Sequence, residues 1–187
     1  MEKLKLKDVR KDLPFQTHHV NLFWNVYSII KDNRTIDFDV FLPSKGINLQ
    51  RPFCWTLEQN QQLILSVIKK LYIPKLAVLV NQSCDDINYE TRLSRYQYQI
   101  IDGKQRLNAL LSFMRGEFPI DVNGNLYYFA DLDEDTQWAI KGYSPACEVA
   151  YFSEHEPIPD EDKILWFKQI NFSGTPQDKA HLDTLNK

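Results

Sequence analysis

Apolar residues follow two periods along this chain, and the switches between them mark out its elements. From Leu57 to Lys70 the positions Leu63, Ile64, Val67 and Ile68 recur at helical spacing, which predicts an amphipathic helix. Its start, Thr56-Leu-Glu-Gln59, has the form of a capping box. Leu76 to Val80 is short and wholly apolar, as a buried central strand is. Tyr98-Gln-Ile-Ile-Asp102 predicts a strand that stops at Asp-Gly, and the helical pattern of Leu107 to Met114 comes directly after it. Residues 118–122 and 126–129 flank Asn123-Gly124, a hairpin signal. Helices over 131–141 and 163–170 and a last strand over 146–152 complete the second half. Earlier in the chain, Leu22, Val26, Ile29 and Ile30 suggest a helix over 21–30, and Ile36 to Leu42 alternates apolar with acidic like a half-buried strand. The remaining stretches read as connections: a basic arm or edge strand over 1–14, a surface loop over 81–96, and an acidic, proline-bearing loop over 154–162. Asn171 to Pro176 reads as a break before a short polar helix. No repeat or linker interrupts the alternation, so one mixed α/β (α+β) domain over 1–187 is expected.

Composition changes this picture little. A chain of 187 residues can bury a proper core. A net charge of −3 argues against a surface coated for nonspecific DNA binding, though not against a local basic groove. Cys54, Cys84 and Cys147 are odd in number and widely spaced, as reduced cysteines of a cytoplasmic protein are. No apolar run reaches membrane-spanning length, so no membrane partner is expected.

Candidate chemistry concentrates in three polar segments. At Asp102-Gly-Lys-Gln-Arg106, glycine permits a sharp turn and the helix behind it presents free N–H groups, while Lys104 and Arg106 add cations. That suits a phosphate; the bland alternative is a helix start with an exposed basic face. Gln50-Arg51 lies on backbone held extended by Pro52, where an arginine can clamp phosphate or form a structural ion pair. Asn171 to Gly174 is the third. Other constellations fail: Asp131, Asp133 and Asp135 lack the glycine and distal glutamate of a calcium loop, and His18-His19 has no metal-binding company. There is no nucleophile elbow and no Walker-type loop.

Taken in order, Gln50-Arg51-Pro-Phe-Cys-Trp55-Thr, Ile73-Pro74, Ile101-Asp-Gly-Lys-Gln-Arg106-Leu and Ile170-Asn-Phe-Ser-Gly174-Thr-Pro resemble the N-terminal domain of GmrSD-type modification-dependent restriction enzymes, with its Asp-Gly-Gln-Gln-Arg motif. The likeness covers about residues 36–187, leaving 1–35 as an N-terminal arm and helix. It implies a ParB/sulfiredoxin-like domain, a small mixed sheet flanked by helices, that binds and often hydrolyses a nucleoside triphosphate with Mg²⁺ in defence against phage DNA. Carried across, the motif's functional positions fall on Asp102, Gln105 and Arg106. Gly103 gives the turn, and Gln50, Arg51, Lys104, Asn171 and Gly174 stand around the nucleotide.

Asp102 would then hold Mg²⁺ or the attacking water, and Gln105 would orient it. Lys104 stands where the motif has its first glutamine, adding charge. The family's histidine–asparagine nuclease half is not found in this sequence. DNA, a separate nuclease subunit or other protein, and further copies of the chain are the partners left open. A phosphotransferase acting on a hydroxyl, such as that of a modified base, and a non-catalytic DNA- or protein-binding module are the alternatives.

Overall fold

The computed structural model describes residues 14–21, 36–81, 98–153 and 156–172. The expected helix over 21–30, Arg92 and Arg95, Cys84, Gly174 and the terminal polar helix lie outside the described residues, as does nearly all of the basic arm.

The frame is a five-stranded mixed sheet. Its strands are β1 (His18–Asn21), β2 (Ile36–Asp37), β5 (Leu76–Asn81), β6 (Tyr98–Asp102) and β9 (Ala146–Phe152), in the order β1-β9-β5-β6-β2. β5 is the centre: it runs parallel to β9 and antiparallel to β6, so Val78 lies between Val149 and Ile100. Its apolar residues are buried on both faces, as a strand with neighbours on each side requires. Two-stranded hairpins add β3 (Phe41–Leu42) with β4 (Ile47–Asn48), and β7 (Ile120–Val122) with β8 (Asn125–Tyr127).

Side-chain alternation divides the core into two layers. Val78, Ile100, Cys147 and Val149 face α1 (Leu57–Ile68), α2 (Lys104–Met114) and α3 (Glu134–Lys141). Ala77, Leu79, Ile101 and Ala150 face the β3–β4 hairpin and α4 (Asp160–Phe172), where Trp166 and Phe167 are fully buried. This is the α+β class expected from the pattern.

Three elements differ from the sequence reading. The alternating run from Ile36 breaks after two residues because Asp37 Oδ1 accepts the backbone N–H groups of Asp39 (3.0 Å) and Val40 (2.8 Å). That local bonding competes with the strand ladder and turns Val40 into the left-handed region, φ 50°. His18–Asn21 is an edge strand on β9, so Asn21, where the expected helix begins, ends a strand. α4 begins at Asp160 and runs to Phe172, longer at both ends than 163–170, so Asn171 is still helical. Asp160, Glu161 and Asp162 form its first turn, where carboxylates are favoured by the helix dipole.

Candidate functional site: a groove at the start of α2

The strand–turn–helix forms as its two hydrophobic periods dictate. β6 carries a register shift against β5: Ala77 pairs with Asp102, but Val78 pairs with Ile100. Ile101 is the extra residue of a bulge, and such a bulge re-aims the next side chain, Asp102. Bulging takes carbonyls out of the ladder, and the Gln50 side chain supplies the donor they need. Its Nε2 donates to Ile100 O (3.0 Å) and to Ile101 O. Gln50 is buried and braces the bulge from behind; it does not line the groove.

Gly103 makes the turn at φ +99°. A Cβ there would overlap the Leu76 side chain, so glycine is required by backbone angle and by space together. The first bond of α2 runs from Leu107 N–H to Gly103 O (2.9 Å), which leaves the N–H groups of Lys104, Gln105 and Arg106 outside the ladder. No side chain caps this end and no acidic residue stands in its first turn. The other three described α-helices carry acidic residues in the first turn: Glu58 in α1, Glu134 and Asp135 in α3, and the Asp160 cluster in α4. The positive end of α2 is thus left for an outside anion.

A groove of about 1010 Å³ opens over this end. Its floor is Asp102 to Arg106, and one wall is α1, which contributes Glu58, Gln62 and Ser66 at four-residue spacing. Arg51 and Trp55 come from the extended segment before α1, Tyr72 to Pro74 from the turn after it, and Asn171 from the end of α4. Asn171 Nδ2 donates to Phe167 O (2.8 Å).

Each motif side chain has a definite place. Arg106 donates through Nη1 to Pro74 O and to Lys75 O (3.0 Å), and through Nη2 to Asp102 Oδ2 (2.5 Å). Arg106 and Asp102 keep 13% and 17% of their side-chain surface exposed, so this pair stays open to an incoming charge. Gln105 is committed to backbone: its Oε1 accepts from Cys54 N (3.0 Å) and Trp55 N (3.3 Å), and its Nε2 donates to Pro52 O (3.0 Å). Lys104 is buried, with Nζ 2.5 Å from Asp39 Oδ1 and 4.6 Å from the centre of the Phe53 ring. Arg51 makes no hydrogen bond or ion pair among the described residues.

Behind Arg106, burial raises the Tyr143 hydroxyl above its ordinary pKa, partly offset by the Arg106 charge. Burial likewise pushes the Cys147 thiol up to about 12, so it stays protonated and unreactive. The sequence reading did not anticipate Tyr143, Glu58 or Gln62 near this site, since their segments carry ordinary helix and loop signals.

Magnesium is the metal that the family resemblance leads one to expect. Among the described residues no group of three or more His, Cys, Asp or Glu side chains could hold an ion. Asp102 offers one carboxylate, and Mg²⁺ takes one or two carboxylates with waters and substrate phosphates. Asp102 would therefore fit an ion whose remaining positions are filled by waters and phosphates.

Fold and groove together define an α+β domain with an anion-receptive glycine turn at the mouth of a central strand. Residues 26–183 match the GmrSD restriction endonuclease, N-terminal domain family, and the chain belongs to it. Membership gives the domain a role connected with restriction of DNA. No curated protein and no solved structure matches the chain. No described helix is long and apolar enough to cross a membrane.

Proposed function

We propose that the groove binds a nucleoside triphosphate with Mg²⁺ and hydrolyses it, as part of a system that restricts modified DNA. The observation that carries this reading is convergence: two guanidinium side chains, Arg51 and Arg106, and the uncapped start of α2 border one groove. Its volume also suits a nucleotide.

The N–H groups of Lys104 to Arg106 and the Arg51 guanidinium hold the phosphate chain. Arg106 already presents a charged fork at the groove floor, and an incoming phosphate competes with Asp102 for it. Asp102, released in part, then orients the attacking water. Gln105 contributes by fixing the Arg51 segment, and Lys104 by pinning the turn to Asp39. Magnesium supplies charge neutralisation on the phosphates when bound. The chemistry is positioning and electrostatic stabilisation.

One observation favours a second reading, nucleotide sensing without turnover: the Asp102 and Gln105 side chains are both engaged by protein groups. Phosphate release measured with each triphosphate and Mg²⁺ separates the two. Turnover that falls on the order of a hundredfold in Arg106→Ala supports hydrolysis. An unchanged rate in that variant overturns the assignment, and binding without release favours the sensor.

A further inference from the structure

The turn after α1 has a feature the groove chemistry does not use. Lys69-Lys70-Leu-Tyr72-Ile-Pro-Lys75 places three cations in seven residues of a chain whose net charge is −3. α1 ends in a Schellman arrangement: Lys70 N–H bonds Val67 O (3.0 Å) and Leu71 N–H bonds Ser66 O (2.9 Å). Lys70 occupies the left-handed position, φ 55°, which glycine takes without strain. A side chain has been kept where backbone energetics favours none, and such an outlier points to a use for it.

The C3 position, one of the two that an apolar residue usually fills to close this motif, is polar here. The residue opposite Leu71 is Ser66, whose hydroxyl donates to Gln62 O (2.7 Å). Leu71 is consequently 57% exposed, and Tyr72 is 85% exposed. Lys69 and Lys70 are exposed beside them. Attraction of the lysines to the negative end of the helix dipole explains their charge but not the bare tyrosine ring. Exposed cations next to an open aromatic face suit a strand that offers both phosphates and unstacked bases.

We infer that the Lys69–Tyr72 turn is a DNA contact for an unpaired stretch, with backbone phosphates on Lys69 and Lys70 and a base stacked on Tyr72. The inference rests on the reading of this domain as DNA-directed, and not on nucleotide turnover. It also gives DNA a mechanical link to the groove. Arg106 grips the carbonyls of Pro74 and Lys75 at the far end of the same turn, and Tyr72 lines the rim.

The test is fluorescence anisotropy of a labelled single-stranded oligonucleotide and its duplex over a salt series, without triphosphate. The wild-type chain binds the single strand more tightly. Replacing Lys69 and Lys70 by alanine weakens this about tenfold and lowers the salt slope by about 1.4, the loss of two phosphate contacts on a single strand. Tyr72→Ala weakens binding roughly 5- to 150-fold at unchanged salt slope, the loss of one stacked base. Lys70→Gly separates structure from function: the melting temperature rises while DNA affinity falls.

Equal DNA binding by wild type and the lysine variants overturns the surface while leaving the DNA-directed reading intact. Wild type that binds neither oligonucleotide, yet titrates with triphosphate, overturns the DNA contact and leaves the nucleotide reading standing. Duplex preference with no effect of Tyr72→Ala overturns the unpaired-base assignment.

Discussion

The side-chain oxygen of Gln105 lies 3.0 Å from the backbone nitrogen of Cys54, fifty-one positions earlier, and its amide nitrogen lies 3.0 Å from Pro52 O. With Trp55 N–H as a third partner, one glutamine fixes the segment from Pro52 to Trp55 against the start of α2. Gln50 holds the other side of Arg51 to the β6 bulge. Arg51 therefore sits between two anchored glutamine contacts, with its guanidinium uncommitted among the described residues.

That arrangement predicts that Gln105 acts on nucleotide affinity through Arg51. Gln105→Ala raises the triphosphate Kd roughly tenfold, in line with about 1 kcal/mol per lost hydrogen bond. In an Arg51→Ala background the same change adds little, and the double-mutant cycle shows coupling of about 1 kcal/mol. Full additivity would mean that Gln105 touches the ligand directly or not at all.

Gly103→Ala meets two penalties at once. The backbone is at φ +99°, and the new methyl collides with the end of the buried Leu76 side chain, which must shift within the core to make room. A stability loss of about 2 kcal/mol or more is expected in denaturant titration. Triphosphate binding falls with it, because the turn sets the direction of the α2 N–H groups. A neutral effect on stability would show that the turn yields more easily than its contacts imply.

The cysteines provide a pH test. Native chain treated with iodoacetamide at pH 8 and mapped by peptide is modified at exposed Cys54 and protected at buried Cys147. The Cys147 thiol is raised from 9.0 to about 12 by burial, so between those values the folded chain keeps a proton that the unfolded chain has lost. Its stabilising effect is complete below pH 9 and is lost as pH rises toward 12. The stability difference between wild type and Cys147→Ala should be flat below pH 9 and then shift against wild type, by up to about 1.4 kcal/mol per pH unit. A difference that stays flat to pH 11 would contradict the burial argument.

The capping box at the head of α1 is testable on its own. Thr56 Oγ1 accepts from Gln59 N (3.3 Å), and Gln59 Oε1 accepts from Thr56 N (2.9 Å). Thr56→Ala should cost about 1 kcal/mol, and Thr56→Ser much less. An equal cost for both would assign the loss to packing.

The strand, turn and helix from Tyr98 to Met114 were legible in the sequence because both periods and the Asp-Gly punctuation act locally. β5 was equally plain for its unbroken apolar run from Leu76 to Val80, and β9 for a mostly apolar one interrupted only by Glu148. Ile36 to Leu42 misled because a single carboxylate, Asp37, diverted the backbone from a pattern that fits a strand. The His18–Asn21 strand exists through its partner, Ala146 to Val149, and no local signal announces that pairing. The motif residues were visible, but not their directions. Whether Gln50 and Gln105 face a ligand or a carbonyl depends on segments about fifty residues away.

The central claim is that the groove over α2 binds a nucleoside triphosphate, and calorimetric titration of the full chain with each triphosphate and Mg²⁺ tests it most directly. The account predicts saturable, one-to-one binding to wild type that weakens by about tenfold or more in Arg51→Ala while the variant's thermal unfolding stays unchanged. Heats that are absent for every triphosphate, or binding that Arg51→Ala leaves untouched, would contradict it.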